Sequence, residues 1–366
     1  MFELLENLRE TYDTATLVVV AAFGLGILFG VIAEISRYCT RAAIAEWATP
    51  GQPGPASRNR TAQVGFAVLA ALIGTQALQY AGLIDLSGSI YWSVAIRPLP
   101  LLVGGLLFGI GMVLAGGCVS RLLVLAASGN FRALVTIVVT GIAAYATLRG
   151  ILALPRIELE NLFASEITPA DLFEANANLA AIVAVGIAVL AAAAVLTARR
   201  HGLRRAILPG LAIGALVVLG WVITGVVGND EFEPTQLASL SFVAPVAESV
   251  QYLMIFTGDT VRFSIAMVGG VLAGAFFSAL LSGRFRFQGF VSEISILRYL
   301  SGGVLMGFGG VTALGCTVGQ GLSGLSTAAP SSLIALGAIL VGGFATMKFQ
   351  ASREAEAEPA MLIPAE

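Results

Sequence analysis

The chain has 366 residues, 57% of them hydrophobic and 11% charged, with a formal net charge of −2. A soluble domain carries about 25% charged residues, so the composition and a mean hydropathy of +0.90 exclude a water-soluble globule and demand a bilayer. The single histidine, His201, stands in a basic loop away from the apolar segments, which excludes a Ser-His-Asp triad among them. The absence of C-x-x-C and of G-x-x-x-x-G-K-[ST] argues against thiol zinc sites and P-loop nucleotide hydrolysis, so neither a metal, a cofactor nor a nucleic-acid partner is expected.

The first segment, residues 1–15, is polar and acidic on balance, without the basic region and cleavage site of a removable signal. Apolar runs of the roughly 20 residues needed to cross a bilayer follow. They cover 16–33, 62–82, 133–154, 179–198, 206–227, 263–282 and 331–347, with glycine-saturated windows at 99–117 and 299–315. The expectation is an all-α polytopic membrane protein of about 9 transmembrane helices plus re-entrant half-helices. A first membrane half at 16–198 and a second at 207–348 flank a basic loop at 199–206, and a polar tail occupies 349–366. Arg199, Arg200, Arg204 and Arg205 place that loop in the cytoplasm by the positive-inside rule, and the acidic loop at 155–178 on the other side.

The halves carry a repeat. Gly104-Gly105-Leu106-Leu107-Phe108-Gly109-Ile110-Gly111 matches Gly302-Gly303-Val304-Leu305-Met306-Gly307-Phe308-Gly309, and the same register aligns Ala115 with Ala313, Gly117 with Gly315 and Cys118 with Cys316. A weaker echo relates the glycines around Gly26 and Gly30 to Gly270 and Gly274, and sets Arg286 where the first half has Cys39. Transporters are often built from two such halves, with the substrate site at paired broken helices near the midplane; the expectation here is a pseudo-symmetric, inverted pair.

Short segments follow the two repeated cysteines, Val119 to Ala127 and Thr317 to Ser326. Each is about 15 Å long as a helix, half a bilayer. They read as re-entrant half-helices whose first N–H groups, around Gly117, Val119, Gly315 and Thr317, point at a central solute and favour anions. The glycines also serve close helix packing, and a lone buried thiol is usually a small hydrophobe. Recurrence in two halves favours a functional role for Cys118 and Cys316. The bare residues leave Cys39 open between the two readings. Neutral thiols are weak donors suited to a soft, sulfur-bearing anion, and weak binding at several sites suits passage. Arg37, Arg41, Arg121 and Arg286 are candidates for attracting that anion, against the alternative that they snorkel to the interface.

Arg37-Tyr38-Cys39, the run Gly104-Gly105 through Gly117-Cys118, Gly129-Asn130, and above all Gly302 through Gly315-Cys316-Thr317-Val318-Gly319-Gln320-Gly321-Leu322-Ser323-Gly324-Leu325-Ser326 resemble the YeeE/YedE family of bacterial membrane proteins, implicated in thiosulfate uptake. The resemblance implies a multi-pass protein of the bacterial inner membrane importing thiosulfate. It also implies that Cys39, Cys118 and Cys316 lie along the path and that a cytosolic sulfur carrier of the TusA type is a partner; the unpaired place of Cys39 in the repeat suggests an entrance thiol. Arg121 departs from the small residue more usual after the cysteine, and the family includes members proposed to handle other sulfur or selenium species. Two readings stand beside import: a membrane sulfurtransferase carrying a cysteine persulfide, and a structural membrane subunit.

Overall fold

A computed structural model of the chain describes residues 13–48, 59–93, 96–162, 204–230, 235–290 and 293–360, together with Gly186 and Val189. The described residues are helical, with no strands. In chain order the helices are α1 Thr14–Ser36, α2 Thr40–Ala48, α3 Asn59–Tyr80, α4 Ile90–Ser93, α5 Pro98–Leu114, α6 Val119–Ala127, α7 Phe131–Arg149, α8 Ala153–Asn161, α9 Arg204–Val222, α10 Val243–Met254, α11 Phe263–Leu281, α12 Glu293–Thr312 and α13 Pro330–Ala360. A π-helical turn, Ile223–Val227, extends α9, and another, Gly319–Gly324, follows Cys316. Among the described residues seven segments are long and apolar enough to cross a membrane. The chain is an all-α polytopic membrane protein.

Every apolar run expected in the sequence and lying within the described residues is a helix. The expected span at 179–198 and the basic loop before Arg204 lie outside the described residues. Four helices were not expected, α2, α4, α8 and α10, and α8 occupies the start of what the sequence reads as the acidic loop at 155–178. All are short, and α10 crosses no bilayer alone at 12 residues. The tail expected from 349 continues helix α13 to Ala360.

Local chemistry sets the boundaries. Arg37 takes a left-handed conformation (φ 53°) and returns its N–H to the Glu34 carbonyl, ending α1. Pro98 opens α5, where its missing N–H costs nothing. The Asn130 side chain accepts the Ala133 N–H at 3.1 Å and caps α7.

Glycine decides the crossings. A Cβ on Gly26 would overlap the Met267 carbonyl, and one on Gly270 would overlap the Phe23 carbonyl. Gly30 meets the Val271 carbonyl and Gly274 the Ile27 carbonyl in the same way. Successive contacts climb together along both chains, so α1 and α11 run parallel with their backbones touching. Gly210 on Gln63 and Gly214 on Ala67 make α3 and α9 parallel too.

The repeated helices α5 and α12 instead cross antiparallel and reciprocally. A Cβ on Gly104 would lie 2.6 Å from the Ala313 nitrogen and 2.8 Å from the Gly309 oxygen; one on Gly302 would lie 2.7 Å from the Ala115 nitrogen and 2.8 Å from the Gly111 oxygen. Gly105 then packs on Ala335 and Ala338 of α13, as Gly303 packs on Thr136 and Thr140 of α7. The small-residue ladders are thus close-packing surfaces.

These directions collect charge at one end. Arg60 at the start of α3 donates to the Arg37 carbonyl, Gln288 after α11 meets Asn130 and Phe131 at the start of α7, and Arg298 of α12 reaches Gln350 of α13. Arg37, Arg60, Arg132, Arg284, Arg286, Arg298 and Lys348 therefore share an end, called here the basic end. The opposite end holds Arg97 and Arg156 bridged to Glu160, and Arg262 paired with Asp259.

Candidate thiol path and arginine vestibule

Two long helices stop in the same way, each just before a cysteine. After α5, Gly116 turns left-handed at φ 75°; after α12, Leu314 does so at φ 58°. The turn costs glycine little, whereas leucine carries strain of order 1–2 kcal/mol there. In both cases the chain then restarts at the thiol. Cys118 is the N-cap residue of α6, which runs over the nine residues the spacing predicts. After Cys316 the expected α-helix is instead π-helical over Gly319–Gly324. Such turns recur at functional sites.

All three cysteines are free and buried, with Cys39 7% exposed and Cys118 and Cys316 1% each. They arrive from three separate segments: the α1–α2 corner, the start of α6 and the end of α12. Tyr38, also buried, lies within electrostatic range of all three sulfurs. Cys39 neighbours Cys118, Arg121 and Arg41, while Cys316 neighbours Cys118 and Tyr91. Cys118 is thus the electrostatic neighbour common to Cys39 and Cys316, and Cys39 lies two residues from Arg37 at the basic end.

Their partners differ. Cys118 Sγ lies 3.3 Å from Ser120 Oγ. Cys316 Sγ accepts the Gly319 N–H at 3.3 Å, with the N–H groups of Val318 and Phe242 beside it. Phe242 is the N-cap residue of α10, as Cys39 directly precedes α2. The weaker sequence echo relates α1 to α11, and these two helices run parallel with their backbones in contact.

Three of the four arginines singled out from sequence meet in one cavity. Arg37, Arg121 and Arg286, joined by Arg284, line a pocket of about 200 Å³ at the basic end, with Glu34, Ser128, Asn130 and Gln288. Arg41 does not line it; its Nε is buried without a hydrogen-bond partner. Glu34 is 6% exposed, accepts the Ser278 hydroxyl at 2.9 Å and faces Arg284 Nη1 at 3.3 Å. No sequence signal placed Glu34, Ser278 or Arg284 in this site. No spacing signal links α1 to the end of α11; only the parallel crossing brings them together.

A larger cavity of about 560 Å³ enters from the opposite end and reaches Tyr91, Ser239, Ser241, Leu314 and Gly315, next to Cys316. The π turn between it and the thiols is clamped by side chains. Tyr91 Oη donates to the Gly319 carbonyl at 2.8 Å, Trp221 Nε1 to Ser326 Oγ at 3.1 Å, Gln76 Nε2 to the Ser326 carbonyl at 2.8 Å and Ser323 Oγ to the Leu240 carbonyl at 2.6 Å. The hydroxyls and amide noted on this segment thus largely satisfy backbone. Thr317 Oγ1 and Gln320 Oε1 remain buried and unpartnered. Replacing Tyr91 by Phe removes the side-chain donor to the Gly319 carbonyl, and the expected loss is about 0.5–1.5 kcal/mol. A thermal melt of the purified variant measures it; an unchanged midpoint would remove the clamp from the account.

Comparison with known proteins gives this geometry a context. A family model described as "Sulphur transport" matches residues 35–345, most of the chain and both cysteine half-sites. A protein of Escherichia coli (strain K12) named "Thiosulfate transporter TsuA" is 26% identical over 275 residues, 68% of this chain and 72% of the relative. A protein of the same name from Spirochaeta thermophila is 26% identical over 255 residues, 65% of this chain and 74% of the relative.

Proposed function

The chain belongs to the sulphur-transport family, and from that premise we propose that it imports thiosulfate across the bacterial inner membrane along a path through Cys316, Cys118 and Cys39. The observation that carries the reading is the convergence of three free, buried thiols, delivered by three distant segments, between a polar-lipped cavity and an arginine vestibule. Thiols packed merely as core hydrophobes have no reason to gather at two helix breaks.

The chemistry suits a soft dianion. Neutral S–H groups donate weakly to terminal sulfur or oxygen, and the half-helix starts at Gly117–Val119 and Gly315–Thr317 offer backbone N–H groups to negative charge. No covalent step is required. The reciprocal contacts of α5 and α12 support two pseudo-symmetric halves, with the two half-helices as exchanged elements. The basic end faces the cytoplasm on the positive-inside rule, since α9 begins there beside the arginine-rich loop. Thiosulfate then enters from the opposite end, meets Cys316 first and leaves through the arginines. This order makes Cys39 the last thiol on the path. A TusA-type carrier would receive the ion at that end.

Radiolabelled thiosulfate uptake, in cells whose other importers are deleted, tests the reading. Uptake competed by unlabelled thiosulfate and not by sulfate, sulfite or selenite is expected. Competition by selenite alone would reassign the substrate, and no uptake at normal expression would end the proposal.

A further inference from the structure

The arginine vestibule contains one feature that attraction of anions does not explain. Its lining includes a carboxylate, and that carboxylate is buried. A buried charge costs several kcal/mol unless it is paired, and Glu34 cannot snorkel: α1 ends three residues later and the Gly30–Gly274 crossing pins its last turn against α11. Its two partners both come from the end of α11, Ser278 at 2.9 Å and Arg284 at 3.3 Å.

We propose that Glu34 sets the residence time of the divalent anion in the vestibule by occupying Arg284. The inference rests on the anion path proposed above. Four guanidiniums, from Arg37, Arg121, Arg284 and Arg286, surround a space of about 200 Å³. Charge-assisted bonds to an oxyanion are roughly twice as strong as neutral ones, so four free guanidiniums would form a trap. Passage needs a site favourable enough to enter and weak enough to leave. Glu34 lowers the vestibule's charge by one and takes one fork out of service. The other polar groups lining the cavity, Ser128, Asn130 and Gln288, are neutral, so no second carboxylate duplicates the effect. An entering dianion and the Glu34 carboxylate then compete for the same guanidinium, and return of Arg284 to Glu34 assists release.

Sulfate and thiosulfate binding to the purified protein by calorimetry, alongside thiosulfate uptake in cells, tests this with Glu34→Gln, Glu34→Asp, Arg284→Gln and the Glu34→Gln/Arg284→Gln pair. Glu34→Gln is expected to tighten both anions about tenfold, the effect of roughly one charged partner, and to lower maximal uptake by a similar factor. Arg284→Gln should weaken binding, and adding Glu34→Gln to it should change Kd less than about twofold, because the carboxylate acts through that arginine. A binding constant unchanged or weakened in a Glu34→Gln protein that melts like wild type overturns the inference. So does tenfold tightening that persists without Arg284, or no anion binding by wild type and variant alike. Where Glu34→Gln fails to fold, Glu34→Asp serves, since the shorter side chain keeps the charge but withdraws it from Arg284. Two- to threefold tightening is expected from it, about 0.5 kcal/mol by the same conversion, and no change counts against the proposal. A wild-type protein that binds sulfate more tightly on Glu34→Gln but takes up no thiosulfate retains this inference and loses the proposed function.

Discussion

Cys118→Ala is expected to reduce thiosulfate uptake at least tenfold while the protein folds and melts as wild type. Cys118 is the electrostatic neighbour that Cys39 and Cys316 share. Its loss leaves a stretch of the path with no sulfur donor at the N-cap of α6. The barrier raised by one missing charge-assisted contact is about 1.5–3 kcal/mol, and each 1.4 kcal/mol is a factor of ten. The stability cost is small because alanine removes a single sulfur from a site 1% exposed; a cavity of that size costs about 1 kcal/mol. Uptake normalised to protein in the membrane, with a melt of the purified variant, separates the two quantities.

Cys118→Ser adds a discrimination. A hydroxyl donates a hydrogen bond but cannot carry a persulfide. Partial uptake by the serine variant supports relay by neutral donors, whereas complete loss together with a sulfur adduct on Cys118 in the wild type, seen by mass spectrometry, favours sulfur transfer. Uptake unchanged in Cys118→Ala sinks both.

The second large effect lies away from the thiols, at the α1–α11 crossing. Gly26→Ala is expected to prevent recovery of folded, monodisperse protein or to destabilise it by more than about 3 kcal/mol. The added methyl would overlap the Met267 carbonyl and stand 2.9 Å from the Val271 nitrogen. Both are backbone atoms of a neighbouring helix, so no rotamer change relieves the clash, and overpacking costs about 1–3 kcal/mol even where side chains can yield. Gly24, two residues earlier, has nothing within 4 Å of its missing Cβ. Gly24→Ala therefore serves as the control and should be neutral or slightly stabilising, since alanine is the better helix former by about 1 kcal/mol. Equal yields and equal melts for the two variants would contradict the crossing as described.

The contrast between those two glycines shows where legibility in the sequence stops. Both stand in the same apolar run, and composition treats them alike. The run itself announced a membrane helix, because twenty apolar residues have no other stable solution in water or lipid. The half-helix after Cys118 was legible for a related reason: its nine residues lie between a glycine pair at Gly116–Gly117 and Gly129, both punctuation marks for a helix. The segment after Cys316 was legible in position but not in kind. Its form is held by side chains from elsewhere: Tyr91 and Gln76 bond its Gly319 and Ser326 carbonyls, and Trp221 bonds the Ser326 hydroxyl. Helices α2, α4, α8 and α10 carry no such signature because each is too short for a span.

Arg37, Arg121 and Arg286 could be picked out as charges too costly to bury without purpose, yet nothing in their spacing told that they share a cavity while Arg41 stands apart. Glu34 was visible as a residue and invisible as a partner. Its pairing with Arg284 joins opposite halves of the chain and exists because four glycines let α1 and α11 run parallel in backbone contact.

The sequence by itself determined the solvent, the helices and the repeated cysteine breaks, since each follows from local apolar length and backbone chemistry. The tertiary structure alone decided the direction of each crossing, the grouping of the thiols and the carboxylate inside the arginine cluster. Those depend on which backbones can approach each other, and contacts between residues hundreds of positions apart leave no periodic trace in a single chain.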